Sequence, residues 1–125
     1  MKLQPDRSDA PTITGYGEGW VSINGERLTE SLIICSDGRR LPWRVHQFDD
    51  LDSDLFEMLA GLGMEVALFG SGPRLRFPKP EWLRPLIAQR LGLETMDTAA
   101  ACRTYNILAG EGRKVVVALL IERKS

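Results

Sequence analysis

The chain holds one histidine, two cysteines and three tryptophans in 125 residues, and its charges nearly cancel at 16 basic against 17 acidic. Each scarcity excludes something. His46 alone, without paired cysteines, leaves too few soft ligands for a tetrahedral zinc site, so no metal centre and no cofactor is expected. No Ser/His/Asp or Cys/His set can be assembled from the spacing, so no catalytic residue is assigned. Cys35 closes the run Leu32-Ile33-Ile34-Cys35 and Cys102 follows Ala99-Ala100-Ala101; apolar neighbours mark both as buried free thiols. A net charge of -1 gives no field to draw in nucleic acid or an anionic membrane. Trp20, Trp43 and Trp82 lie apart from any basic run, which argues against a stacking platform for single strands and hence against a nucleic-acid partner. The longest apolar stretch, Val115 to Ile121, is far short of the roughly twenty residues a membrane-spanning helix needs. The polar opening from Met1 to Thr12, with Pro5 and Pro11, has neither a signal-peptide core nor a presequence pattern, so a cytoplasmic location is expected.

What is present is enough for a core. With 43% apolar and 26% charged residues, a chain of this length buries roughly two-thirds of its unfolded surface without a staple. The expected organisation is one domain over residues 12–121, with a flexible segment 1–11 and a tail 122–125. Ile13 to Ile23 alternates and is followed by Asn24-Gly25, a hairpin turn pair, so a strand, a turn and a second strand are predicted. Ser31 to Ser36 reads as a short strand buried on both faces, and Leu41 to Val45 as a further extended piece. Acids from Asp49 to Asp54 precede Leu55, Met58, Leu59 and Leu62 at helical spacing. Glu65 to Phe69 is a strand running into Gly70-Ser71-Gly72-Pro73. The stretch Arg74-Leu75-Arg76-Phe77 is expected to be extended, with both arginines on one face. Pro80 opens a helix carrying Trp82, Leu83, Leu86, Ile87 and Leu91 on one face, and Leu93 to Met96 returns as a strand. Asp97-Thr98 caps a helix to about Ala109, and Lys114 to Ile121 is the last strand. Strands alternating with helices over residues 31–121 predict an α/β domain, a mainly parallel sheet covered by helices, with a β-hairpin appended at the N-terminus.

Three places concentrate chemistry. Gly70, Ser71 and Gly72 follow a strand, where ligands enter open α/β sheets, but no Gly-Lys-Ser/Thr follows and no third glycine leads into a helix; a tight turn with solvated arginines is the simpler reading. Asp97 and Thr98 stand where a strand meets a helix, and capping alone accounts for the carboxylate. Arg103, Tyr105, Asn106, Glu111 and Arg113 cluster around a helix C-terminus and its exit turn. Glu111 paired with Arg103 or Arg113, and Asn106 on helix-end carbonyls, would make this a structural network; otherwise it is a binding surface.

The run Met96 to Leu108 followed by Glu111-Gly112-Arg113-Lys114-Val115, with Gly-Trp-Val-Ser-Ile-Asn-Gly at 19–25, Trp43 and Phe69-Gly70-Ser71-Gly72, resembles a small family of formerly unknown function. Its members include bacterial and archaeal proteins, the mitochondrial complex I assembly factor 3 and an adipogenesis-associated human protein of the Mth type. The resemblance spans residues 12–121. It implies a three-layer α/β fold with a mixed central sheet, the last strand antiparallel to its neighbours, and a β-hairpin unit alongside. It brings no catalytic residues. The expected function is that of a non-enzymatic interaction protein, assembly-factor or chaperone-like, with a protein partner. The alternative is a small-molecule or anion site in the crevice near Gly70 and Asp97, with Arg103 or Arg113 supplying charge. Nothing in the sequence sets an oligomeric state.

Overall fold

The computed structural model describes residues 10–122. Its N-terminal part is a three-stranded antiparallel sheet of β1 (Ile13–Gly17), β2 (Trp20–Ile23) and β3 (Glu26–Leu28). The rest of the strands, β4 (Leu32–Cys35), β5 (Arg40–Pro42), β6 (Val66–Gly70), β7 (Gly92–Met96) and β8 (Val115–Leu119), form one sheet in the order β5-β4-β8-β6-β7. Three helices accompany them: α1 (Asp54–Ala60), α2 (Arg84–Ala88) and α3 (Thr98–Gly110).

Side-chain alternation along β8 sorts the core into two layers. Val116, Ala118 and Leu120 pack with Leu55, Phe56 and Leu59 of α1 and Leu86 of α2. Val115, Val117, Leu119 and Ile121 pack on the other face with Ala101, Cys102, Tyr105 and Ala109 of α3 and with Val21 and Ile23 of the small sheet. The central sheet is therefore covered on both faces, which is why β4 and β8 are apolar at every position rather than at alternate ones. This is the expected three-layer α/β domain.

Four expectations change in detail. The N-terminal unit is a three-stranded meander, because a two-residue turn at Glu18-Gly19, with Gly19 at φ 79°, divides Ile13–Ile23 into two paired strands. Gly17 and Trp20 pair across this turn and share a face, so the alternation shifts by one residue between the two strands. Asn24-Gly25, both at positive φ, then joins β2 to β3. The last strand is antiparallel only to β4; it runs parallel to β6, since α3 carries the chain back across the sheet before β8 begins. Of the five strands only β4 runs against the others. Ile87 is 68% exposed. Ile87 follows Leu86 within α2, about 100° further round the helix, and so points away from the face that buries Leu86. Residues 74–77 join no strand, and Arg76 turns back onto Ser71 rather than lying beside Arg74.

The expected flexibility of residues 1–11 concerns mostly positions outside the described residues. Pro11 itself is buried, and its carbonyl accepts a 2.7 Å hydrogen bond from the Tyr105 hydroxyl. At the other end Glu122 is tied in by an ion pair with Arg76 at 3.0 Å.

Candidate functional site, a pocket at the sheet rim

Parallel pairing of β6 with β7 sets Gly70 opposite Met96, so the chain leaves the sheet at two adjacent points on one rim. The loop after β6 and the start of α3 are then knitted together. The Gly72 N–H donates to Thr98 Oγ1 at 2.9 Å, the Thr98 N–H donates to the Gly72 carbonyl at 2.8 Å, and the Thr98 hydroxyl donates to the Leu120 carbonyl at 2.9 Å. Gly70 is required for this closeness. A Cβ there would stand 3.0 Å from the Thr98 Cα and 3.1 Å from the Ala101 Cβ. Ser71 is fully buried: its N–H donates to the Met96 carbonyl at 2.8 Å, and its hydroxyl donates to the Arg74 carbonyl at 2.7 Å while accepting the Arg76 N–H at 3.0 Å. The Asp97 carboxylate caps α3 by accepting the Ala100 N–H at 2.8 Å.

Around these groups opens a pocket of about 590 Å³. The β1–β2 turn (Tyr16 to Gly19) forms one wall, Asp97, Thr98 and Ala99 another, and Gly72, Pro73 and residues 120–122 the floor. Its apolar contribution comes from Pro73, Ala99, Leu120 and Ile121; its charged side chains are Glu18, Asp97 and Glu122, all acidic. Arg76 stands behind the floor, with its guanidinium on the Ser71 carbonyl at 2.6 Å, on Glu122 at 3.0 Å and over the Phe48 ring at 4.7 Å. Glu122 also accepts the Phe48 N–H at 2.8 Å.

The residues singled out in the sequence divide between two ends of α3. Gly72, Asp97 and Thr98 line the pocket, with Gly70 and Ser71 directly beneath. Arg103 lies at the edge of the pocket, donating to the Tyr16 hydroxyl at 2.9 Å. Tyr105 and Asn106 face inward to the N-terminal segment, Tyr105 on Pro11 and Asn106 on both backbone groups of Ile13 rather than on helix-end carbonyls. Glu111 and Arg113 are not part of the pocket. Thirteen helical residues separate them from Asp97 by roughly 20 Å, and Arg113 instead approaches Glu65 at 4.0 Å. Glu111 pairs with neither arginine among the described residues, because Arg103 is turned toward Tyr16 and Arg113 toward Glu65.

Pattern reading misses Tyr16 to Gly19, Pro73, Ala99 and Leu120 to Glu122. A signal for the first wall exists: Gly15 and Gly17 are two apart, and the Trp20 ring lies across both, where a Cβ at Gly17 would overlap its Nε1. As for an anion, the loop amides that would cradle it are already spent on Met96 and Thr98, and the charged lining is negative. Both thiols are buried, and burial pushes the Cys102 thiol up to about 12, so neither is a nucleophile at neutral pH. Among the described residues no group of three or more His, Cys, Asp or Glu could hold a metal, and no helix is long and apolar enough to cross a membrane.

Comparison with known proteins gives a consistent picture. Assembly factor 3 of the NADH dehydrogenase (ubiquinone) 1 alpha subcomplex from Xenopus tropicalis is 28% identical over 95% of this chain, which spans 66% of that protein's length. An uncharacterized protein of Rhodobacter capsulatus is 34% identical, covering 94% of this chain and 90% of its own. A crystal structure from Bordetella parapertussis superposes with a TM-score of 0.84 at 43% identity, over 90% of this chain and 97% of the other. A solution structure from Bordetella pertussis, described as an Mth938-like domain, gives 0.83 at 36% over 100% and 95%. Residues 13–120 match the family described as protein of unknown function (DUF498/DUF598), and with the fold and the Asp97 to Arg113 signature in place the chain belongs to that family.

Proposed function

We propose that the chain is an assembly-factor-like protein that holds a protein partner at the pocket rim, in the cytoplasm, during construction of a respiratory NADH dehydrogenase. The observation that carries this is the apolar surface beside the pocket. Of the six large apolar side chains left exposed among the described residues, Tyr16 lines the pocket, and Leu75 and Phe77, 52% and 68% exposed, sit on the loop that leaves it at Pro73. Exposed aromatic and aliphatic groups on a loop that leaves a concavity are a usual mark of a protein-binding surface. Relatives named as complex I assembly factors align with nearly all of this chain, which supports the same role. Two free buried thiols suit a reducing compartment.

The test is genetic and biochemical. Deleting the gene is expected to lower the amount of assembled NADH dehydrogenase in native gels of the host's membranes. A Leu75→Ser, Phe77→Ser double variant that remains folded is expected to fail to restore it. Unchanged assembly in the deletion strain would refute the proposal.

A further inference from the structure

We infer that the segment leaving the pocket, residues 73–90, receives an acidic stretch of the partner protein, with carboxylates on its free cations and apolar side chains on Leu75 and Phe77. The inference rests on the reading of the rim as a protein-binding surface and names the chemistry of what binds there. The whole chain is balanced at 16 basic against 17 acidic residues, but this segment holds five cations, Arg74, Arg76, Lys79, Arg84 and Arg90, against the single acid Glu81. Arg76 is spent on Glu122 and on the Ser71 carbonyl. The other four are exposed, and none of them is in an ion pair among the described residues. Lys79 rests over the Trp82 ring at 5.4 Å, a contact that leaves ammonium donors over for a carboxylate.

The segment is also held ready. Four of the chain's seven prolines, Pro73, Pro78, Pro80 and Pro85, fall within it, and the Ser71 hydroxyl ties its first turn by bonding the Arg74 carbonyl at 2.7 Å and the Arg76 N–H at 3.0 Å. Fixed backbone of this kind lowers the ordering entropy that a docking loop loses on binding. With Arg76 turned inward, Leu75 and Phe77 on either side of it are left exposed. Lys79 and Arg84 bracket the 3-10 turn Pro80–Leu83, which separates them by roughly 10 Å. Leu75, Phe77, Lys79 and Arg84 therefore lie along at most roughly 25 Å, the reach of about eight residues of extended peptide. Apolar groups interleaved with cations select an occupant that brings both carboxylates and apolar side chains, which a small anion does not. Glu81, exposed between Lys79 and Arg84, would meet repulsion from a uniformly anionic bilayer, whereas a partner chain can place its carboxylates on either side of it. Arginine, the type of three of the four free cations, matches carboxylates through two parallel hydrogen bonds.

The experiment uses amide NMR spectra of the isotope-labelled full chain, titrated separately with a short alternating leucine–glutamate peptide, its leucine–lysine counterpart, and vesicles of phosphatidylcholine with phosphatidylglycerol. The glutamate peptide is expected to shift the amides of Leu75, Phe77, Lys79 and Arg84, and the lysine peptide and the vesicles to leave them in place. The double variant Arg74→Glu, Arg84→Glu is expected to weaken the glutamate peptide by at least about tenfold, the equivalent of about 1.4 kcal/mol, and Arg74→Lys, Arg84→Lys to keep most of the binding. Retention of the remaining amide pattern shows that each variant is folded. Equal binding of the lysine peptide, indifference to charge reversal, or no response to any probe would each overturn the inference. Vesicles that move these amides where the peptide does not would assign the surface to lipid, and shifts that grow with protein concentration alone would assign it to a second copy; either overturns the inference. If Leu75→Ser, Phe77→Ser abolishes assembly while Arg74→Glu, Arg84→Glu sustains it, the protein-binding rim stands and the acidic partner falls. If assembly is indifferent to both variants, the rim reading falls with it.

Discussion

The side-chain amide of Asn106 pairs with Ile13 as a neighbouring strand would: its Oδ1 accepts the Ile13 N–H at 2.9 Å and its Nδ2 donates to the Ile13 carbonyl at 2.8 Å. One residue on α3 thereby closes the outer edge of β1, and Tyr105 adds the bond to Pro11 one turn-face away. Replacing Asn106 with alanine strands both partly buried groups of Ile13, at an expected cost of roughly 2–3 kcal/mol in urea unfolding. Asn106→Asp keeps the acceptor and loses the donor, so it should fall between. Hydrogen exchange of the Ile13 and Asn24 amides should accelerate ahead of β8 in both variants, and uniform acceleration across the domain would contradict this local account.

Gly70 and Gly92 sit at opposite ends of paired strands and should respond oppositely to alanine. At Gly70 the added methyl meets the Thr98 Cα at 3.0 Å, backbone that cannot swing aside. Gly70→Ala is expected to lose roughly 1–3 kcal/mol through displacement of α3. Gly92 has no atom near its would-be Cβ, and Gly92→Ala should be neutral or stabilising by about 0.4–1 kcal/mol. Thermal unfolding of the two variants side by side decides the matter.

The buried thiol and phenol give the domain an alkaline limit. Burial holds the Cys102 thiol at about 12, against 9.0 ordinarily, and raises the Tyr105 phenol above its ordinary 10.0. In the unfolded chain both lose their protons first, so stability is fully present below pH 9 and declines as pH rises from there toward about 12. Urea midpoints measured across that window should fall steadily. Tyr105→Phe should flatten the upper part of the fall while costing about 1 kcal/mol at neutral pH for the lost bond to Pro11. At neutral pH iodoacetamide should label Cys102 only as fast as the domain opens.

Arg76 and Glu122, 20% and 18% exposed, join the loop after β6 to the end of the last strand and, through Phe48, to the turn before α1. Removing either partner leaves a poorly hydrated charge, and Arg76→Ala or Glu122→Ala is expected to cost roughly 1–3 kcal/mol. Because the pair is largely shielded, raising salt from about 0.1 M to 1 M should narrow the difference from the parent chain only slightly. A difference that vanished at high salt would mean an ordinary surface pair.

Much of the architecture is legible in the sequence because burial on two faces and capping leave unambiguous marks. Leu32 to Cys35 and Val115 to Ile121 admit no amphipathic reading, and Asp97 caps its helix as its position suggests. The pocket is less legible. Gly72, Asp97 and Thr98 could be found because a strand end and a helix start carry recognisable residues, whereas Leu120 and Glu122 join them only through tertiary pairing of β6 with β8. Glu111 and Arg113 follow Arg103 closely in sequence, but a rigid helix turns that closeness into distance from Asp97. Asn106 deceives for another reason: an amide near a helix end ordinarily serves that end, and only the folded N-terminal sheet presents it with Ile13.

The strand order has a consequence for biogenesis. The stretch synthesised last among the strands, β8, occupies the middle of the large sheet, between β4 and β6. Until residues 115–119 emerge from the ribosome, β5-β4 and β6-β7 are two separate ribbons, each with an unsatisfied edge facing a gap of one strand's width. The nascent domain therefore cannot close stepwise as it is made. It completes in a single late event that stitches both halves at once, and a chain stopped short of β8 exposes two sticky borders in place of a core.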